Sequence, residues 1–518
     1  MDGTTTVSEL TTFLTPKEAW EQLVEIRTKY YKKYSAAYSG CRVNLNQTGS
    51  NGSFWKRRGK SKIHVPVAAD IAAVSADLLF GEEPRFSCIH KGTEENETKQ
   101  QQRLDELIKE NGLHGLLNEA AEQCAALGDV YLKLNWREEM DHPTITIVPP
   151  DSALPEYMLG TLQCLHFFSI LKVDRNKTVY RLYECYSRGK IKMAIFKGSQ
   201  NDIGTEQDAA ILEALGFAPE VTPPVNDMLG VHIPNIRPNR MDRSSMLGRS
   251  DFDGLRDLMD ALDEVYSSWI RDVRLAKART IVPADYLRKR EGSDMFKEGE
   301  YTYEFDEDVE TLVALDIDPD RTTGNQITLS QFNIRSQDHS ATCTDLLRVI
   351  YTTAGYSPQT FGMDINGQAE SGTALHIREK KSFNTRAKKQ TYWKSPLEEI
   401  MTAMVHLDAA LYAQEGSHAD DTVSVRFADG MANDLSTVSA SVQMLHNAEA
   451  ISIDTKVKML HPDWTQKQIE EEIQRIKDEY GEKLDPPNPA FGDFGSALKK
   501  QSQQQNDEEN EESAEEDE

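Results

Sequence analysis

The sequence Gly-Lys-Ser at residues 59–61 is the part of this chain closest to a catalytic motif. It matches the end of a P-loop, in which a glycine-rich turn binds nucleotide phosphates and the lysine reaches the outer ones. The motif also requires an earlier glycine at a set distance and an apolar strand that leads into it. Here six residues separate Gly52 from Gly59, which is too many, and no apolar strand leads into the motif. The spacing favours an exposed basic loop over an ATP site.

Three alternating aspartates resemble the start of a calcium-binding loop. Asp316, Asp318 and Asp320 have the spacing of its first ligands. However, Arg321 stands where glycine makes the sharp turn, and Ile327 stands where a bidentate glutamate completes the coordination sphere. The pattern favours a solvated turn.

The other polar residues show no catalytic or metal-binding spacing. The twelve histidines include no HExxH pair and the chain has no GxSxG, so neither a zinc protease nor an α/β-hydrolase is indicated. Asp306 and Asp308 could hold magnesium in a nuclease, but neighbouring acids are expected by chance among 85 of them. The cysteines lack a CxxC pair, which indicates a reducing compartment without a zinc site or a disulfide framework. They are Cys41, Cys88, Cys124, Cys164, Cys185 and Cys343. We predict no enzyme activity, no cofactor and no metal.

A basic segment is the candidate for nucleic-acid contact. Residues 378–394 contain seven bases and one acid, Glu379. On a helix these bases spread over several faces, which disfavours a single DNA-reading stripe. Salt bridges to an acidic neighbouring chain explain them at least as well. We expect Phe383, Tyr392 and Trp393 to pack rather than to stack on bases. The bases are Arg378, Lys380, Lys381, Arg386, Lys388, Lys389 and Lys394.

Length and charge limit the architecture. The 518 residues suffice for roughly three domains, and the formal net charge is −27. Nine acids lie among residues 507–518, so residues 502–518 should be a disordered tail that aids solubility, repels DNA or recruits a basic partner. Residues 1–14 show no signal-peptide pattern. The longest apolar run, residues 71–80, is interrupted by Asp77 and is too short to cross a bilayer.

The elements that would position any site follow an unusual order after residue 250. Residues 251–280 predict an amphipathic helix, with acids first and bases last, which suits the helix dipole. A β-rich insertion follows over residues 281–336, with strands predicted over 301–305 and 327–332 and a short helix and turn over 288–294. Residues 337–354 then predict a second helix that ends at Gly355. Two such helices would leave a body, hold a small domain away from it and return. The apolar stripe of the first helix is Leu255, Leu258, Leu262, Val265, Trp269, Val273 and Ala276.

A glycine-rich loop and a long third helix complete this order. The loop spans residues 357–372, and Ser371 or Thr373 can cap the helix after it. That helix runs to about Glu415 and contains Pro396, which predicts a kink or a restart.

The rest of the chain predicts an α+β body and a helical C-terminal part. The predicted helices of the body span residues 16–38 and 98–128, the latter broken into two at 111–112. The apolar stretch 63–80 is predicted to be helical after Pro66 and to end at Gly81. Predicted strands span residues 129–136, 144–148, 165–173, 178–187 and 190–197, as an antiparallel meander. Residues 421–427 predict a further strand. Three helices follow, one starting at residues 462–465 with Ile469, Ile473 and Ile476 as its apolar stripe.

The order of elements and several stretches of residues resemble the bacteriophage portal proteins. These are the head–tail connectors of long-tailed phages, here in the form found in phages of Gram-positive hosts. The matching stretches are residues 64–71 (HVPVAADI), 78–84 (LLFGEEP), 354–362 (AGYSPQTFG), 371–375 (SGTAL), and 461–464 (HPDW) leading into 471–480. The resemblance covers nearly the whole chain apart from the acidic tail.

The resemblance implies a portal-type α+β fold with named regions. It assigns residues 1–250 to the wing, 251–280 to the first stem helix, 281–336 to a small β-rich clip, 337–355 to the second stem helix, 356–372 to the tunnel loop, 373–432 to a long kinked helix with a wing strand, 433–485 to a helical crown and 486–518 to a disordered acidic tail.

The resemblance also implies roles for single residues. The tunnel-loop residues that would brush DNA without holding it are Gln359, Thr360, Phe361, Met363, Asp364, Asn366 and Gln368. Those expected to pack in the stem and between subunits are Leu258, Leu262, Trp269, Leu346 and Ile350. The expected hinges are Gly362, Gly367, Gly372 and Pro396.

The implied function is a non-enzymatic ring, normally a homododecamer, at one vertex of the capsid. Double-stranded DNA would be packaged and ejected through it. The implied partners are the terminase large subunit, a head-completion or adaptor protein, and the major capsid and scaffolding proteins, with no membrane. The ring would assemble in the host cytoplasm and remain in the virion. Alternatives from the residues are another virion structural protein, such as a minor capsid protein, and a DNA-packaging ATPase or nuclease.

Overall fold

The computed structural model divides the chain into two compact units, residues 1–428 and residues 429–518. It describes residues 13–39, 56–57, 60–61, 63–89, 94–137, 139–276, 279–283, 313–315, 328–330, 334–363, 372–412, 421–427, 435–448, 450–461, 464 and 466–482.

The described helices and strands are numbered in chain order. The α-helices are α1 Pro16–Ile26, α2 Lys32–Tyr38, α3 Val67–Phe80, α4 Glu94–Glu110, α5 Leu113–Leu127, α6 Ala209–Ala214, α7 Arg256–Leu275, α8 Ser336–Ala354, α9 Gly372–Leu411, α10 Leu435–Asn447, α11 Ile453–Leu460 and α12 Gln466–Glu482. The strands are β1 Lys56–Arg57, β2 Lys60–Ser61, β3 Arg85–Ile89, β4 Asp129–Asn135, β5 Thr144–Val148, β6 Ala153–Met158, β7 Thr161–Val173, β8 Val179–Ser187, β9 Lys190–Gly198, β10 Thr205–Glu206, β11 Glu220–Val221, β12 Gly230–Pro234, β13 Arg279–Pro283, β14 Val313–Leu315, β15 Thr328–Ser330 and β16 Thr422–Arg426. A π-helical turn, Arg27–Tyr31, joins α1 to α2, and 3₁₀ turns span Pro150–Ser152 and Pro358–Phe361.

Two antiparallel sheets form much of the first unit. Strands β6 to β9 make a meander, and β9 also pairs with the short β10 and β11. The second sheet has the order β12-β4-β5. The predicted single meander is therefore wrong for its first two strands, β4 and β5. They belong to a separate sheet, in which β4 lies between β5 and β12, a strand much later in the chain. The predicted α+β class is confirmed.

The long helix α9 runs through the main hydrophobic core of this unit. Trp393, Leu397 and Ile400 are fully buried in the core that also contains β4 and α5. Pro396 lies inside α9 without ending it, so the predicted restart there is wrong. Proline removes one backbone donor, and the buried side chains on both sides hold the helix in place.

Helix α1 covers one face of the meander. Thr15 and Glu18 form a capping box, and Pro16 follows the cap, which is why the helix starts there. Trp20 is buried against Phe168 of β7, with ring centroids 5.0 Å apart. The predicted helix over residues 16–38 is confirmed, with the π-helical turn inside it.

The helix predicted over residues 251–280 is shorter than expected. Residues 251–255 form turns: the amide of Asp251 donates to the carbonyl of Ala125, and that of Leu255 to the carbonyl of Phe252. Helix α7 thus begins at Arg256, and β13 already begins at Arg279. The second predicted helix agrees with α8 to within one residue.

A three-stranded sheet lies between α7 and α8 in the chain. Strand β13 pairs in parallel with β14 and antiparallel with β15. The predicted strand over residues 327–332 is confirmed as β15. The strand predicted over residues 301–305 and the turn over 288–294 lie outside the described residues.

The described part of the second unit is helical. Val457 of α11 and Ile469 and Ile473 of α12 form its buried cluster, with Trp464 packed against it. The predicted helix start and apolar stripe are confirmed. In the described part of the chain, no helix is both long and apolar enough to span a bilayer.

Candidate functional site: the paired helices and the turn after them

Helices α7 and α8 pack along each other in opposite directions. Near the start of α7, Leu262 shares a buried cluster with Ile350 near the end of α8. Near the end of α7, Trp269 stacks on His339 near the start of α8, with ring centroids 6.2 Å apart and planes 10° apart. The pair is therefore an antiparallel hairpin whose two ends have different surroundings.

One end of the hairpin is anchored in the body. The carboxylate of Asp263 is buried and lies 2.8 Å from Nδ1 of His64, and its other oxygen accepts from the amide of Val65 at 2.9 Å. Ser267 accepts from the amide of Ile63 at 2.9 Å. The segment before α3 thus fixes where α7 leaves the body.

The other end is held by contacts between the two helices. Among the described residues 264–276 and 334–342, none is fully buried. Asp272 lies 2.9 Å from His339 and 3.1 Å from Arg335. The hydrogen bond from His339, and then that from Arg335, lower the pKa of Asp272. This end of the hairpin therefore lies outside the buried core.

The residues predicted to pack in the stem are used mainly inside the subunit. Leu262 and Ile350 are fully buried in the cluster that joins α7 and α8 to α3 and α5. Leu258, Trp269 and Leu346 are partly buried against the same cluster. Among the large apolar side chains of α7 and α8, Val273 and Val349 are exposed, at 44% and 46%.

A compact turn follows α8. Gly355 ends the helix with φ 108°, which favours glycine. Phe361 then stacks on Tyr351, with ring centroids 3.8 Å apart and planes 5° apart. Gly362 closes the 3₁₀ turn with φ 73°. Phe361 and Met363 both pack against the cluster of the hairpin.

Helix α9 holds this turn through two side chains. Ser382 accepts from the amide of Ser357 at 2.8 Å and lies 2.8 Å from the hydroxyl of Thr360. Thr385 donates to the carbonyl of Gly355 at 2.6 Å. The first half of the predicted loop, residues 357–363, is therefore a packed connection between α8 and α9.

The second half of the predicted loop lies outside the described residues. It contains Asp364, Asn366, Gly367 and Gln368. Of the predicted DNA-contacting residues, Gln359, Thr360, Phe361 and Met363 lie in the packed turn and are half-buried. Gly372 is the first residue of α9.

Replacing Gly355 by alanine should destabilise the connection. A Cβ there would lie 3.0 Å from Oγ1 of Thr385 and would force a left-handed conformation on a residue with a side chain. Such a conformation costs about 1–2 kcal/mol. The matched control is Gly115→Ala in α5, where a Cβ meets nothing within 4 Å and where alanine should add about 0.5–1 kcal/mol. Calorimetry should show opposite shifts in Tm. Equal Tm values for Gly355→Ala and the native chain would contradict the assignment.

Part of the basic segment is buried within the subunit. Nζ of Lys389 lies 2.6 Å from Oδ2 of Asp251 and 2.5 Å from the hydroxyl of Ser75. Tyr356 donates to the same carboxylate at 2.7 Å and Asn235 donates to its other oxygen at 2.8 Å. This buried network joins α3, α9, the turn after α8 and the approach to α7. The expectation that these bases contact a neighbouring chain is wrong for Lys389.

The predicted packing is confirmed for Trp393, and Phe383 and Tyr392 are half-buried. Trp393 is fully buried, and its ring lies edge-on to Phe80 at 5.0 Å. Tyr392 donates to the carbonyl of Arg237.

Two of the three residues that resemble a P-loop lie in a strand, and Gly59 lies outside the described residues. Lys60 and Ser61 form β2, which pairs with β1, whereas a P-loop lysine and serine begin a helix. The aspartates at positions 306, 308, 316, 318 and 320 lie outside the described residues.

One cluster of potential metal ligands escaped the sequence analysis. Cys164, His166 and Cys185 are buried, and their ligand atoms lie within 4.8 Å of one another. Spacing rules for zinc sites search for pairs such as CxxC along the chain. The available signal was His166 in one predicted strand, Cys164 directly before that strand, and Cys185 in the next strand.

The chain was compared with known families and structures. The family model described as "Phage portal protein, SPP1 Gp6-like" matches residues 17–484. The comparison with curated proteins gives no match.

Three solved structures come from gene transfer agent particles. In the neck of the empty particle, computed with C6 symmetry, the similar chain has a TM-score of 0.39 at 12% identity, covering 81% of this chain and 98% of that one. In the neck of the native particle, computed with C12 symmetry, the similar chain has a TM-score of 0.38 at 10% identity, covering 82% of this chain and 98% of that one. In the virion of the native particle, the similar chain has a TM-score of 0.36 at 10% identity, covering 76% of this chain and 87% of that one. By its match to the family model over residues 17–484, the chain belongs to the SPP1 Gp6-like family of phage portal proteins.

Proposed function

We propose that copies of this chain assemble into a closed ring through which double-stranded DNA is packaged and ejected. Membership in the portal family supports this proposal. The structural observation that carries it is the hairpin of α7 and α8, which is anchored in the body at one end and extends beyond the buried core at the other. Many such hairpins side by side would enclose a channel.

In this proposal the regions of the chain take the roles expected from the resemblance. Helices α7 and α8 form the stem, and the sheet of β13, β14 and β15 lies in the clip at its end. The body before α7 is the wing, and α10 to α12 form the crown. The buried network around Lys389 then connects wing, stem and tunnel loop within each subunit.

The proposed DNA-facing part of the tunnel loop is residues 364–371. The packed turn before it is held by α8 and α9 and serves as its base. Asp364 and Glu370 are the charged residues of this segment, and both are acidic. An acidic or neutral lining suits a conduit, because each contact between a base and a phosphate strengthens binding to DNA.

We assign the ring to the portal vertex of the virion, after assembly in the host cytoplasm. The terminase large subunit supplies the ATP-driven movement, and a head-completion protein binds the clip afterwards. The major capsid and scaffolding proteins surround the wing. The subunit itself performs no catalysis, and its work consists of packing between subunits.

Native mass spectrometry of the purified chain tests the ring. The expected spectrum shows one closed oligomer, with twelve subunits as the stoichiometry inferred from the family. A chain that stays monomeric across salt concentrations would contradict the proposal. ATP hydrolysis lost in Lys60→Ala, or DNA cleavage lost in Asp306→Ala, would favour an enzyme instead.

A further inference from the structure

Three neighbouring strands bring four ligand-type side chains together beneath helix α1. Cys164 and His166 stand two residues apart in β7 and therefore point to the same face of the sheet. His166 pairs directly with Cys185 of β8, and Glu156 of β6 pairs with Cys164. The register of three strands thus places two thiols, an imidazole and a carboxylate at one point.

The distances at this point match a shared centre. Sγ of Cys164 lies 3.2 Å from Nε2 of His166 and 3.2 Å from Oε2 of Glu156. The same carboxylate oxygen lies 3.1 Å from Nε2 of His166. The ligand atom of Cys185 lies within 4.8 Å of those of Cys164 and His166. Around a tetrahedral zinc ion, ligand atoms stand about 3.3–3.8 Å apart, so small side-chain rotations would complete the site.

The surroundings hold these side chains in place. Cys164 and His166 are fully buried and Cys185 is 8% exposed. The hydroxyl of Tyr183 lies 2.9 Å from Nδ1 of His166, which leaves Nε2 directed towards the cluster. The amide of Leu14 donates to Oε2 of Glu156 at 3.1 Å. Metal-binding histidines and carboxylates have such outer partners.

We propose that Cys164, His166, Cys185 and Glu156 bind a zinc ion. Two sulfurs and one imidazole are the ligands that favour zinc over magnesium or calcium. Both sulfurs bind the ion as thiolates and Nε2 of His166 binds without a proton, so two protons leave the cluster for solvent. Two positive charges enter as two leave, so the net charge of the buried cluster is unchanged.

The zinc ion would fasten α1 to the meander. The cluster lies in the same hydrophobic core as Trp20 and Leu23 of α1. Glu156 connects it to the backbone of Leu14, next to the capping box that starts the helix. This role is structural and is independent of the proposed channel.

The test uses the full-length protein, equilibrated with zinc chloride and then freed of unbound metal by gel filtration. Mass spectrometry of the element should find about one zinc per native subunit. Cys185→Ser and His166→Asn should reduce this to a small fraction. The matched control is Cys343→Ser, which replaces another buried thiol and should keep the zinc.

A second measurement needs no variant and so does not depend on how the variants fold. Cobalt(II) added to the native protein should give the absorption of a tetrahedral thiolate complex, and zinc should abolish it. A native protein without bound zinc and without this spectrum would overturn the proposal. So would a disulfide between Cys164 and Cys185 in freshly purified protein, or an equal loss of zinc in Cys343→Ser.

Discussion

Lys389→Met should lower the stability of the first unit by about 3–5 kcal/mol, which is the usual cost of removing one partner from a buried ion pair. The side chains of Lys389 and Asp251 are each 1% exposed, and Nζ lies 2.6 Å from the carboxylate. Methionine keeps most of the volume of the side chain but cannot donate. The variant leaves the buried charge of Asp251 with Tyr356 and Asn235 as its donors.

Tyr356 cannot replace the lost positive charge. Burial, and after it the charge of Asp251, raise the pKa of Tyr356 well above its ordinary value. Its hydroxyl therefore stays protonated and continues to donate, but it carries no charge. The deficit in Lys389→Met should persist across the neutral pH range.

Calorimetry should compare the Tm of Lys389→Met with that of the same substitution at a neighbouring lysine. Lys388→Met is the matched control, because Lys388 lies in the same helix but is exposed, and we expect its Tm to stay near the native value. Combining Lys389→Met with Asp251→Asn should recover part of the loss, since the uncompensated charge is removed. Equal Tm values for Lys389→Met and Lys388→Met would contradict the network.

The second large effect is expected from reversing the charge of the proposed tunnel segment. Asp364→Lys combined with Glu370→Lys replaces two acids by two bases in every subunit of the ring. Each added contact between a base and a phosphate increases the affinity for DNA. DNA would then be held instead of passing, and we expect at least about tenfold fewer filled heads. The measurement is the amount of nuclease-protected DNA in purified heads.

Two controls distinguish tighter DNA binding from a loss of ring assembly. Asp364→Asn combined with Glu370→Gln removes the same acids without adding a base, and it should package nearly normally. Both variants should give the native oligomer by mass spectrometry. Raising the ionic strength in a packaging reaction should partly restore the lysine variant, because salt weakens phosphate contacts. Normal packaging by the lysine variant at low salt would refute the placement of residues 364–371.

The helices were predictable because their signals are local. Gly355 ends α8 where the sequence indicates a C-cap, and Pro16 begins α1 after Thr15. The apolar stripe of α7 follows from its period. The start of α7 was predicted too early, because the amide of Asp251 donates to the end of α5 and residues 252–255 form turns, which no local pattern reveals.

The buried polar sites depend on contacts between distant parts of the chain. Lys389 lies among exposed bases in the sequence, and only the fold brings it to Asp251 and Ser75. The Cys164 cluster likewise requires the register of β6, β7 and β8. Pairing of β4 with β12 was missed for the same reason, since strand partners follow from topology rather than from the strand's own residues.

Electron cryomicroscopy of the purified assembly tests the ring most directly. We expect a closed ring around an open axis, with the α7 and α8 hairpins of neighbouring subunits side by side and the β13 sheet at their far end. Particles of one subunit, or assemblies in which the hairpins do not surround a hole, would contradict the account.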